Sequence, residues 1–505
     1  MADNKDNVQT EASPATPPPY EGTTAPRPSG WIYKGIPLGR GKEIWYASPR
    51  AQLLMVSFVC FLCPGLYNAL GGLGGGGQLN SHVQAQASTA TYAVFAFVGF
   101  FSGSFANKMG IRITLGLGGF GYSLYSASFL AYNHTKNDGF VIFAGAFLGF
   151  CAGLLWTAQG AIMLAYPEEN KKGSYISTFW IIFNSGGVIG ALIVLAQNLH
   201  NTTGTVTDGT YAAFIVLMFI GAVIALFLVD ADKVIRADGS KVIIMKEPTW
   251  KSEFIGLWEC IYSVPWVIAL FPMFFASNIF YTYQQNGVNA VAFNLRARSL
   301  NSLLYWLAQI LGAMVYGFAF DIKRVRRSVK AKASLVVLFI LTFAIWGGGD
   351  AFQSKRPPRA IETAASYESQ RWDFTDPEYL GPAFLYIFYG FYDACWQSSI
   401  YWWIGALSNS GRRTANLAGF YKGIQSAGAA IFWALDSAEL SYETMYIVTF
   451  VLLAASLVIA APVVFTKIKD TTDIEDDLKF SDETLEDVAP TAMLDEKRAT
   501  LEETV

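Results

Sequence analysis

The feature that most constrains this chain is a series of twelve apolar segments, near residues 51–70, 89–106, 112–132, 139–166, 174–197, 210–230, 261–282, 299–320, 333–349, 380–407, 415–435 and 443–465. Roughly 20 apolar residues in a helix cross a bilayer core, and helices satisfy all their backbone hydrogen bonds internally once there. The expected fold is therefore an all-α multi-pass membrane protein surrounded by lipid. Charge supports this: only 15% of the 505 residues are Asp, Glu, Lys or Arg, against about a quarter in soluble domains. The charges crowd into the tails and connectors. The net charge of −3 carries little information, because an acidic C-terminal tail offsets basic connectors.

The segments divide the chain into five parts. Residues 1–49, rich in Pro, Thr, Ala and charge, read as a disordered N-terminal tail. Residues 50–230 hold six spans, 231–260 form a central loop, 261–466 hold six more, and 467–505 form an acidic tail (Asp473, Glu475, Asp476, Asp477). No apolar run precedes residue 50, so the first span is expected to act as the membrane signal. With both tails placed in the cytoplasm, the inner connectors carry seventeen Lys and Arg and the outer ones seven, which is the positive-inside asymmetry. The central loop ends in Trp250, Phe254, Ile255 and Trp258, apolar at helical spacing, and is expected to lie on the inner leaflet. Two N-glycosylation sequons, at Asn133 and Asn201, fall in outer loops under this topology, as do all three histidines.

A repeat relates the two sets of six. After the second span come Gly103, Asn107, Lys108, Gly110 and Arg112; after the eighth come Gly317, Asp321, Arg324, Arg326 and Arg327. Both stretches resemble the tight-turn motif of the major facilitator superfamily: a glycine, an acidic residue four later, then a basic cluster. That resemblance implies two six-helix halves and a gate in which the carboxylate pairs with arginines. The first copy has Asn107 in place of the acid, which puts its lock in doubt. Three stretches, Pro64–Leu70 with the glycine-rich run 71–77, Phe293–Asn301 and Ala418–Gly428, resemble the uncoordinated-ninety-three-like family within that superfamily, its fungal members above all. The family contains uncharacterised transporters and regulators or trafficking partners of other membrane proteins. The resemblance thus leaves two readings open, a secondary transporter of a small solute and a non-transporting regulator with a membrane-protein partner.

No Ser/His/Asp, Cys/His or metal-spaced cluster occurs, so no enzyme, cofactor, metal or nucleic-acid partner is expected. The glycine-rich run lacks the Gly-Lys-Ser/Thr ending of a phosphate loop, and Cys60 and Cys63 lie inside the first span as small packing residues. Ionisable residues within spans are the informative ones, since each costs about 2.5–3.5 kcal/mol at a helix centre. Asp393 and Lys422 are two such residues, read either as a substrate-, proton- or gate-linked charge pair or as a structural pair joining helices 10 and 11. Gln159, Asn184, Asn278, Gln397 and Gln425, with Tyr281 and neighbouring aromatic residues, lie at similar depths. They suit either a cavity for a small organic, neutral solute or interhelical hydrogen bonding. In the N-terminal tail, Pro17, Pro18, Pro19 and Tyr20 form the P-P-x-Y ligand of WW domains, which implies a WW-domain ubiquitin ligase as partner.

Overall fold

The computed structural model describes residues 28–470, apart from 40–41, 74–80, 100, 168–171, 199–205, 408–410 and all of 237–263 except Ile255, Trp258, Ile261 and Tyr262. The described residues form the helices α1 Pro49–Gly72, α2 Ser81–Gly99, α3 Ser102–Thr135, α4 Asp138–Ala165, α5 Lys172–Asn198, α6 Asp208–Ala225, α7 Pro265–Ala290, α8 Leu295–Asp321, α9 Arg327–Gln353, α10 Leu380–Leu407, α11 Gly411–Ser437 and α12 Tyr442–Thr466. Within α3, Gly110 has φ 78° and ψ 156°, a conformation that costs little only without a Cβ. The residues before it complete the second span and those after it form the third. Eight of these helices are apolar enough to cross a membrane on composition alone; α2, α3, α10 and α11 are diluted by glycine, tyrosine and charge.

Helix starts follow local chemistry. Asn137, Asn294 and Ser441 accept hydrogen bonds from the backbone N–H three residues on, at 3.1, 3.0 and 3.1 Å, and so cap α4, α8 and α12. Ser48 caps α1 in the same way ahead of Pro49. The halves α1–α6 and α7–α12 meet chiefly where α5 runs along α8 and α2 along α11. Gly317 of α8 allows that approach, because a Cβ there would lie 2.6 Å from the Ser177 hydroxyl of α5.

Two departures from the sequence reading matter. The described part of the N-terminal tail is folded: β1 (Ile36–Gly39) and β2 (Lys42–Ile44) pair antiparallel, Ile36 opposite Ile44. Trp45 and Ala47 are buried, the Tyr33 hydroxyl donates to the Lys233 carbonyl (3.0 Å), and Ile235 N–H donates to the Ala47 carbonyl (3.2 Å). Two apolar side chains and a pairing partner in the start of the central loop are what a proline-rich composition conceals. The seventh span also continues to residue 290. It starts as a 3₁₀ turn, tightens again at Ser277–Ile279 and ends as a π-helix over Tyr283–Ala290.

Candidate functional site

The mid-membrane polar residues gather on the tightened turn of α7 at Ser277–Ile279. Asp393, fourteenth of 28 residues in α10, is completely buried. Its carboxyl receives four donors from three helices: the Tyr281 hydroxyl (2.5 Å), the Tyr305 hydroxyl (3.3 Å), the Gln309 amide and, one turn along α10, the Gln397 amide (3.3 Å). This is the donor set of an acceptor-only carboxylate. Gln397 also donates to Asn278 Oδ1 at 3.2 Å and accepts from the Tyr421 hydroxyl. Gln425 donates to Asn278 Oδ1 (2.9 Å) and Gln397 Oε1 (3.1 Å). Of the polar residues the sequence reading put at similar depths, the fold thus brings Gln397, Gln425, Asn278 and Tyr281 together around Asp393.

Asp393 and Lys422 do not form the direct ion pair that reading allowed. The Lys422 ammonium donates to Gln425 Oε1 at 3.0 Å and lies over the rings of Trp156 (4.7 Å), Tyr421 (5.1 Å) and Tyr401 (5.3 Å). Two amides, Gln397 and Gln425, stand between the charges. Trp156 belongs to α4, so the Lys422 cation bridges the two halves. In α5, Asn184 is buried with neither polar side-chain atom partnered, and in α4 Gln159 is buried with a free carbonyl oxygen. These two were expected in the cavity; neither joins the hydrogen-bonded ring.

We distinguish two ends of the bundle by the tails. At the tail end, where Arg327 donates to the Lys469 carbonyl (2.6 Å), the contacts differ from those the family motif implies. Asp321 accepts from the Ser174 hydroxyl of the other half at 2.6 Å rather than pairing with Arg324 or Arg327. Arg112 donates to the Leu226 carbonyl (3.0 and 2.9 Å) and pairs loosely with Asp230 (3.7 Å), within its own half. Lys108 is exposed, and the side chains of Gly103 and Asn107 lie outside the described residues. So do Pro17, Pro18, Pro19, Tyr20, Asn201, the acidic tail beyond residue 470 and most of the central loop. Asn133 sits in the last turn of α3 with its amide donating to Asp208 at 2.8 Å.

At the opposite end, polar residues the sequence reading passed over close the bundle. Buried Arg298 donates to the Leu73 carbonyl (2.6 Å), while Asn289 and the Tyr386 hydroxyl donate to the Gly72 carbonyl (2.8 and 3.2 Å). The C-terminal half thus holds the unsatisfied carbonyls at the end of α1. The connector between α9 and α10 is tied down by Arg356–Glu362, Arg296–Asp373 and Arg359–Asp436, the last at 2.9 Å. The Arg296 hydrogen bond holds the Asp373 carboxyl down to about 2. Asn301, Tyr305 and Gln309 recur every four residues, a polar stripe on α8 that would have announced the network.

Comparison with known proteins places these features. Residues 52–355 match the Major Facilitator Superfamily. The chain is 48% identical to a UNC93-like protein of Schizosaccharomyces pombe, over 94% of this chain and 93% of that one. It is 38% identical to UNC93-like protein 1 of Arabidopsis thaliana, over 85% and 92%. Among solved structures it resembles the E. coli fucose:proton symporter FucP at a TM-score of 0.53 and 12% identity, over 84% of this chain and 100% of that one.

Proposed function

Because this chain belongs to the Major Facilitator Superfamily and to its UNC93-like members, we propose that it is a secondary transporter that moves a small organic solute by rocking its two halves about the Asp393–Lys422 network. The observation that carries this reading is the position of that network. A carboxyl and an ammonium lie mid-membrane beside the irregular helix α7, and the ammonium rests on Trp156 of the other half. Intramembrane charges are costly and mark substrate or ion pathways. Rocking separates Lys422 from Trp156 and breaks Ser174–Asp321 at one end or Arg298–Leu73 at the other, which is what alternating access requires. Both tails are read as cytoplasmic, supported by the basic turns that share their end of the bundle.

The close packing around Asp393, which is wholly buried among tyrosines and amides, favours a second reading, a membrane-embedded regulator that uses the fold as a solid partner surface. Uptake into proteoliposomes, with and without a pH gradient, separates the two. Saturable uptake that is lost in Asp393→Asn supports the transporter. A correctly folded protein that moves no solute across a broad panel, yet captures a membrane protein, supports the regulator.

A further inference from the structure

The donors around Lys422 outnumber the acceptors. Its ammonium has three N–H groups, and one is taken, by Gln425 Oε1 at 3.0 Å; the rest face the rings of Trp156, Tyr401 and Tyr421. The acid linked to it through Gln397 and Gln425 already receives four donors and has no short contact to the lysine. Across the interface α5 presents more donors at the same level. Asn184, thirteenth of 27 residues from the tail end, is 1% exposed with both polar atoms unpartnered, and the Trp180 indole N–H one turn away is buried and unpartnered too. The Trp180 ring lies 6.0 Å from that of Tyr401, which touches both Lys422 and Tyr421. Lys422, twelfth of 27 residues in α11, enters this level from the other half.

We propose that Lys422 anchors the carboxylate of a small organic anion between the halves, with Trp156, Tyr401 and Tyr421 against its apolar body and Trp180 and Asn184 meeting its polar atoms. An aromatic face holds a cation only modestly, while charge-assisted N–H···O bonds are roughly twice as strong as neutral ones, so a carboxylate draws the ammonium off the rings. Surplus donors from both halves fit an acceptor-rich ligand and disfavour an amine, which would compete with Lys422 itself. The proposal deepens the transporter reading and rests on it for the ligand's route in and out; binding itself is measured separately.

The test titrates the full chain in nanodiscs with benzoate, phenylacetate and pyruvate, each against its neutral amide, following tryptophan fluorescence and thermal stability. The expected result is at least one acid that binds about tenfold tighter than its amide, a difference of about 1.4 kcal/mol. Lys422→Arg should keep that preference and Lys422→Met should erase it. Acids that bind no better than amides, a preference that survives Lys422→Met, or binding of inorganic phosphate or benzylamine alone would each overturn the proposal. The acid–amide comparison on the parent chain needs no variant to fold. Acid binding without uptake would leave the anion site standing and remove the transporter reading; uptake of a neutral solute indifferent to Lys422→Met would do the reverse.

Discussion

The two halves share a fold and differ in chemistry. In the C-terminal half, buried carboxylates are common and held by donors: Asp393 has four, Asp436 is paired with Arg359 and receives the Asn286 amide at 2.8 Å, and the connector after α9 is held by two further arginine–carboxylate pairs. In the N-terminal half, packing rests on small residues and rings, such as Gly119 and Gly221 against Cys63 and the stacked pair Phe179–Phe183, while Asn184 is buried without partners and Gln159 with a free carbonyl oxygen. A repeat therefore preserves where helices go and leaves each half free to specialise. Here the C-terminal half carries the buried carboxylates and the network around them, and the N-terminal half presents the unpartnered amide of Asn184.

The largest break in this contrast is expected at Asp436. Removing one partner of a buried pair leaves the other charge uncompensated and costs about 3–5 kcal/mol. Asp436→Ala should thus lower the melting temperature in detergent more than any truncation of a buried polar side chain in α1–α6. An equal loss from Gln159→Ala would erase the distinction between the halves.

Asp393 should cost less in stability and more in function. Asparagine keeps the shape but turns an N–H toward donors that need an acceptor, and each unsatisfied buried group costs about 1–3 kcal/mol. Asp393→Asn should fold with reduced stability and lose uptake. Because Lys422 is relayed through Gln397 and Gln425 rather than paired directly, adding Lys422→Gln should not restore stability. Recovery in the double variant, read by size-exclusion profile and melting, would revive the direct pair.

A smaller effect concerns Arg296–Asp373. The folded Asp373 carboxyl lies near 2, below the ordinary value of about 3.9, so its stabilisation is present above pH ~4 and fades as pH falls toward 2. Parent and Asp373→Asn should differ in melting temperature by a few degrees, equally at pH 7 and pH 5, and converge only in stronger acid. A gap that closes between pH 7 and pH 5 would show that another group is responsible.

Much of this was legible beforehand. Twelve apolar runs dictate twelve spans, and Asp393 and Lys422 announce themselves by their cost in lipid. What stayed hidden depends on tertiary partners. Gln284, Gln285 and Asn286 resemble a loop, yet Gln284 accepts from Tyr305 (2.9 Å) and Asn286 reaches Asp436, so helix α7 continues to residue 290. Residues 28–48 look disordered until Trp45 finds its pocket and Ala47 its backbone partner at Ile235. The Asp321 carboxylate finds a serine on the facing helix because Gly173 leaves room beside it, which no motif records.

The last prediction, and the smallest in stability, sharpens the comparison from the N-terminal side. Asn184 is buried in α5 with its carbonyl oxygen and amide both unpartnered. In a site built only for stability that arrangement is a net loss, since a buried polar group without a hydrogen bond costs about 1–3 kcal/mol by mutational measures. Leucine has nearly the same size and no such requirement. Asn184→Leu should therefore leave melting unchanged or raise it slightly, the opposite sign from Asp393→Asn. If the N-terminal half supplies its unused amide to a solute, the same variant should lose most of its uptake or its acid–amide preference while gaining stability. A loss of stability in Asn184→Leu would mean that the amide already serves the fold, and the halves would then differ less than their hydrogen bonds suggest.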